Sequence, residues 1–130
     1  MLKAGVLGAG HLGKIHLKLL QQSSKYDFNR IIHLTPNFKS NVSEEFGYKV
    51  FDSIEEMINA VDVVDIVTPT LNHYNCAKTA IEKGKHVFIE KPITKTVVEA
   101  EEIRDLVKLH KVRGQVGHVE RFNPAFTAVK

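Results

Sequence analysis

The sequence predicts an α/β fold of the Rossmann type, a doubly wound parallel sheet with helices on both faces. Short β-branched runs alternate with stretches of helical spacing from one end to the other, and the connections between them are short. A glycine-rich turn, Gly8-Ala9-Gly10-His11-Leu12-Gly13, follows the first run directly and leads into the first helical stretch. In such a sheet the right-handed crossovers leave a crevice at the carboxyl ends of the strands where the strand order reverses, so functional residues are expected there.

The strand candidates are Lys3 to Leu7, Arg30 to Leu34, Val61 to Thr68, His86 to Ile89 and Val112 to Val116, with a weaker run at Tyr48 to Phe51. The first helical stretch carries Leu12, Ile15 and Leu19 on one stripe. A second is expected at Val42 to Phe46. A third opens with Ser53 and has Glu56 three residues on, a capping box, with Ile54, Met57 and Ile58 facing inward. A fourth runs from Asn72 to Lys83 and stops at Gly84, the residue type that ends helices in the left-handed conformation. The last opens with the capping box Thr96 and Glu99 and carries Ile103, Leu106 and Val107. One residue resists the pattern: Asp65 falls inside the most apolar strand, and the sequence names no partner for it if it is buried.

Composition narrows the function classes. At 130 residues the chain is read as one domain, 1–130, and its 43% hydrophobic and 25% charged residues are those of a globular protein with a core of its own. The net charge of +3 comes from basic residues dispersed among acidic ones, which argues against nucleic acid as a partner. The single cysteine, Cys76, cannot form an internal disulfide and has no sequence neighbour to activate it, so it reads as a small helix residue in a reducing compartment. No apolar run approaches the roughly 20 residues of a membrane span, and glycines and lysines interrupt anything like a signal peptide. A cytoplasmic location without membrane contact is expected.

The glycine turn has specific mechanics. Gly8 permits the tight turn, Gly10 lets a pyrophosphate approach the backbone, and Gly13 lets helix and strand pack closely. The phosphates then rest on the free N–H groups of Gly10, His11 and Leu12 at the positive end of the helix. The same stretch nearly spells a nucleotide-triphosphate loop through Gly8, Gly13 and Lys14, but Ile15 stands where a magnesium-binding Ser or Thr is required. A methyl-donor-binding domain would use a similar turn and is the remaining competitor. About 20 residues on, where an acid normally holds the adenosine ribose, stands Thr35. A hydroxyl neither repels a 2′-phosphate nor strongly grips the diol, which leaves NAD against NADP open, with Lys39 and Arg30 as candidate cations for the phosphate of NADP.

Two further polar clusters fall at strand ends: Thr68-Pro69-Thr70 followed by His73, and Glu90-Lys91-Pro92, where Pro92 fixes the backbone and a cis bond before it is allowed. His73 is placed for cofactor contact or helix capping, His16 for packing against the sheet, and His118 for reaching a substrate. None of them forms a spaced cluster with other ligating residues, so no metal is expected.

With these motifs in place, the chain resembles the N-terminal domain of the Gfo/Idh/MocA oxidoreductases, the relatives of glucose-fructose oxidoreductase and inositol dehydrogenase. The resemblance rests on the glycine turn with His16 three residues later, Thr68-Pro69 with His73, Gly84-Lys85-His86-Val87 leading into Glu90-Lys91-Pro92, and the ending Gly117-His118-Val119-Glu120-Arg121-Phe122-Asn123-Pro124. It implies hydride transfer between NAD(P) and a sugar, polyol or sugar-nucleotide carbon, and the ending is similar to members acting on the 3-position of UDP-N-acetylglucosamine. It implies that Lys91 sits beside the nicotinamide and touches the reacting hydroxyl, with Glu90 orienting lysine or cofactor. It also implies a second α/β domain that supplies general acid-base residues, most substrate contacts and the homo-oligomer interface. The 130 residues alone are therefore expected to bind cofactor without completing the reaction, and a non-catalytic nucleotide-sensing or interaction module is the alternative.

Overall fold

The computed structural model describes residues 2–24, 26–32 and 49–129. Among them six strands form one parallel sheet: β1 (Leu2–Leu7), β2 (Tyr26–Ile32), β3 (Lys49–Val50), β4 (Val63–Ile66), β5 (His86–Ile89) and β6 (Gly114–Val116), in the order β3-β2-β1-β4-β5-β6. The helices are α1 (His11–Gln21), α2 (Ile54–Ala60), α3 (His73–Glu82), α4 (Val97–Leu109) and the single turn α5 (Pro124–Thr127), with 3₁₀ turns at Thr70–Asn72 and Val119–Phe122. The chain builds outward from β1 to β3, then returns to lay β4 on the other side of β1. That reversal is the topological switch point of a Rossmann fold.

Alternation along the strands divides the core. Leu7, Val64, Ile66, Val87 and Ile89 point to one face, where Met57 and Ile58 of α2, Ala77, Ala80 and Ile81 of α3 and Ile103 of α4 cover them. Ala4 and Val6 point to the other face and pack with Ala9 and Leu17, flanked by Leu20, Val63 and Val67. Among the described residues α2, α3 and α4 thus cover one face and α1 covers part of the other, and the area removed from water is the main favourable term in folding.

The helix boundaries follow their signals with some corrections. The Thr96–Glu99 capping box forms in both directions at the start of α4, whereas Ser53 accepts from the Glu56 N–H at 3.1 Å without the reciprocal bond. The stretch from residue 70 opens as a 3₁₀ turn, α3 begins at His73, and Gly84 ends it with φ +72°. Lys111, just after α4, holds φ +55°. The expected stripe of α1 is overturned: Leu12, Ile15 and Leu19 are 45%, 42% and 61% exposed, and the buried residues are Gly13 and Leu17. Close packing of Gly13 on the preceding turn fixes the helix's rotation, and hydropathy cannot register a contact made by a residue with no side chain. The strands expected at Val61 to Thr68 and Val112 to Val116 are shorter, and the one expected to begin at Arg30 begins at Tyr26. The helix expected at Val42 to Phe46 lies outside the described residues.

Candidate functional site at the carboxyl edge of the sheet

Leu7 pairs with Ile66, Ile66 with Ile89 and Ile89 with Val116, so these four residues form one row across the sheet. The residues just beyond that row leave the sheet at a common level. They are the glycine turn, Val67-Thr68-Pro69, Glu90-Lys91-Pro92 and Gly117-His118.

Gly8 has φ +106°, and a Cβ there would lie 2.6 Å from the Val67 carbonyl oxygen, so both backbone conformation and the neighbouring strand exit require glycine. A Cβ on Gly13 would overlap the Gly8 carbonyl, which seats α1 directly on the turn. Gly10 is different, because a Cβ there would meet nothing within 4 Å. His11 and Leu12 beside it are exposed, α1 has no side-chain N-cap bond, and no acid stands in its first turn. The orphan N–H groups and positive end of the helix therefore border open space, an arrangement that fits a diphosphate.

His73 is 2% exposed, with Nε2 2.8 Å from the Thr68 carbonyl oxygen and Nδ1 2.9 Å from the Pro92 carbonyl oxygen. It joins the two loops instead of turning a nitrogen outward, and it makes no cap bond. The Lys91–Pro92 bond is cis. Lys91 is exposed and, with His118, Glu120, Arg121 and Phe126, lines a cavity of about 390 Å³. The structure thus brings His118 to Lys91 across 27 residues of sequence, and adds Glu120 and Arg121 of the ending motif.

The partner that Asp65 lacked in the sequence is His16. Its Nδ1 lies 2.8 Å from Asp65 Oδ2, and its Nε2 lies 3.2 Å from Glu90 Oε1 on the other side, as an ion pair without hydrogen-bond alignment. The Asp65 hydrogen bond holds the His16 imidazole above its ordinary range, against the opposing effect of burial. Burial also pushes the Asp65 carboxyl up, outweighing the attraction of His16. Glu90, expected as an orienting acid, is 5% exposed, and its Oε2 accepts from the Lys91 N–H at 3.1 Å. The signals for this cluster were a histidine one helical turn past Gly13 and an acid in an apolar strand. Cys76 is buried, which pushes its thiol up and keeps it unreactive.

Thr35 and Lys39 lie outside the described residues, and Arg30 lies on β2. Among the described residues no group of three or more His, Cys, Asp or Glu is arranged to hold a metal ion, and no helix is long and apolar enough to cross a membrane.

The family model for an oxidoreductase family with an NAD-binding Rossmann fold, Gfo/Idh/MocA, matches residues 2–118. The chain belongs to the Gfo/Idh/MocA oxidoreductase family. Among its relatives is UDP-N-acetylglucosamine 3-dehydrogenase of Acidithiobacillus ferrooxidans, 31% identical over 95% of this chain and 39% of the relative. A solved structure of that protein superposes on 98% of this chain, covering 42% of its own, with a TM-score of 0.89 at 29% identity. In Bacillus subtilis, scyllo-inositol 2-dehydrogenase (NAD(+)) is 34% identical over 98% of this chain and 39% of the relative. The scyllo-inositol 2-dehydrogenase (NADP(+)) IolW is 31% identical over 99% of this chain and 36% of the relative. The chain therefore spans less than half the length of the curated Gfo/Idh/MocA relatives it matches. Its cofactor class is that of the family, NAD(P), and the relatives' names include both forms.

Proposed function

We propose that residues 1–130 are one dinucleotide-binding unit of a dehydrogenase that moves hydride to or from a hydroxyl-bearing carbon of a sugar, polyol or sugar nucleotide. The observation that carries this reading is a single ledge on which an uncapped helix start over a side-chain-free turn stands beside an exposed lysine that opens on its own cavity. The nicotinamide cofactor supplies the hydride acceptor or donor. The chain's residues do the rest.

Gly8 and Gly13 fix the turn against α1, and Gly10 leaves room for the diphosphate on the N–H groups of Gly10, His11, Leu12 and Gly13. The helix dipole favours that anion by about 0.3–1 kcal/mol. Thr68, Pro69 and Thr70 wall the crevice, and His73 acts through the backbone by tying that wall to the Pro92 loop. Glu90 steadies Lys91 from its buried side, and Lys91 donates a hydrogen bond to the reacting oxygen as an ammonium or accepts the proton of the reacting hydroxyl as a neutral amine. His118, Glu120 and Arg121 face the same cavity and are placed to contact the substrate. A threonine at sequence position 35, where the family pattern expects the residue that meets the ribose, is compatible with either NAD or NADP.

The relatives' names, which specify a sugar nucleotide and inositols, support this class of substrate. Calorimetric titration with NADH and with NADPH tests the reading. Saturable binding of at least one is expected, and absence of binding of both to folded protein at about millimolar concentration ends it.

A further inference from the structure

We propose that His16 is a positioning residue for Lys91, acting through the buried carboxylate of Glu90 while Asp65 holds the imidazole in place. The proposal deepens the dehydrogenase reading, on which its consequence for the cofactor rests, but its direct test does not depend on a dinucleotide.

The chain of contacts is continuous. Asp65 in the middle of β4 holds Nδ1 of His16 at 2.8 Å, and Nε2 lies 3.2 Å from Oε1 of Glu90. The other oxygen of Glu90 accepts from the Lys91 N–H at 3.1 Å. A Cβ added to Gly117 would lie 2.6 Å from Glu90 Oε1, so the exit of β6 closes over the carboxylate from a further side. The three side chains are 14%, 9% and 7% exposed and line a cavity of about 360 Å³ on this face of the sheet.

Two features set this cluster apart from ordinary packing. Asp65 Oδ1 and Glu90 Oε1 are buried without an aligned donor, which apolar residues of similar size would avoid. In addition, α1 turns Leu12 and Ile15 to solvent while His16 faces the sheet. An arrangement that exposes leucine and isoleucine to bury a histidine between two acids is suited to placing the acid next to Lys91.

The groups facing the imidazole are Asp65 from β4, Glu90 from the end of β5 and the edge-on ring of Phe88 at 5.8 Å. Val119, from the turn after β6, lines the same cavity of about 360 Å³ and carries no charge, as do Leu19 and Leu20 of α1. With His16 protonated, both carboxylates are attracted to the ring. Once the proton leaves, they face one another across a neutral ring and Glu90 loosens. Asp65 holds that proton above the ordinary histidine range, so the change comes above about pH 6.5.

Residue-resolved amide hydrogen exchange from about pH 6 to about pH 9 reads this directly. After correction for intrinsic exchange, protection at the Lys91 amide is expected to fall by about tenfold through the His16 titration, a larger step than at amides of α3, which follow only the change in global stability. His16→Gln removes the step and leaves Lys91 less protected throughout. Asp65→Asn keeps a hydrogen bond to the ring and moves the step to lower pH. A pH-independent Lys91 amide in the wild type, a step surviving in His16→Gln, or a step unmoved in Asp65→Asn overturns the proposal. If His16→Gln does not fold, the wild-type series and Asp65→Asn decide. Failure of the wild-type protein to bind NADH or NADPH would instead overturn the dehydrogenase reading and leave the exchange result standing.

Discussion

Gly8 and Gly10 stand two residues apart and answer to opposite constraints. The first is enclosed, with φ +106° and the Val67 carbonyl where a side chain would go, whereas the second borders open space. Gly8→Ala is expected to cost about 1–3 kcal/mol of stability in urea unfolding, from backbone strain and collision. Gly10→Val is expected to shift stability by no more than about 1 kcal/mol and to abolish dinucleotide binding by calorimetry, because its side chain fills the space assigned to the diphosphate. Such glycines are legible in sequence because their reason is local: a turn between a strand and a helix needs them at that spacing. The His16–Asp65 pair was not legible, since its partners are 49 positions apart and only the sheet brings them together. The approach of His118, Glu120 and Arg121 to Lys91 is hidden for the same reason.

At the level of elements, the helices announced themselves through their ends more reliably than through their faces. The Thr96–Glu99 box satisfies two N–H groups at the start of α4, with bonds of 3.2 and 3.1 Å, and Thr96→Ala is expected to cost about 1 kcal/mol in the same unfolding measurement. Residues such as Ile81, wholly buried on α3, give the larger penalty of a core cavity. Ile81→Ala is expected to cost about 2–5 kcal/mol without altering the site, so dinucleotide affinity measured well below the unfolding transition should be unchanged. The face of α1 misled because the sheet-facing stripe runs through Gly13, His16, Leu17 and Leu20, two of which contribute nothing apolar. Strand ends moved by a few residues because hydropathy marks what is buried, not where the hydrogen-bonded ladder stops.

For the molecule as a whole, fold class was the most legible property, because six alternations of period and a glycine turn admit few architectures. The buried cluster gives that fold a pH dependence. His16 titrates near 6.5 when unfolded and higher when folded, so the native state binds this proton more tightly. The associated stability is complete below about pH 6.5 and is lost as pH rises through the folded value. The urea midpoint of the wild-type protein is expected to fall between neutral and mildly alkaline pH, and that of His16→Gln is not. The row of Leu7, Ile66, Ile89 and Val116 has a consequence of another kind. It sets the height of four loops from inside the sheet, independently of what the loops contain. Natural variation or an engineer can therefore exchange the segment after Gly117 to change what is recognised, while the glycine turn and Lys91 keep their places on a floor that the exchange never reaches.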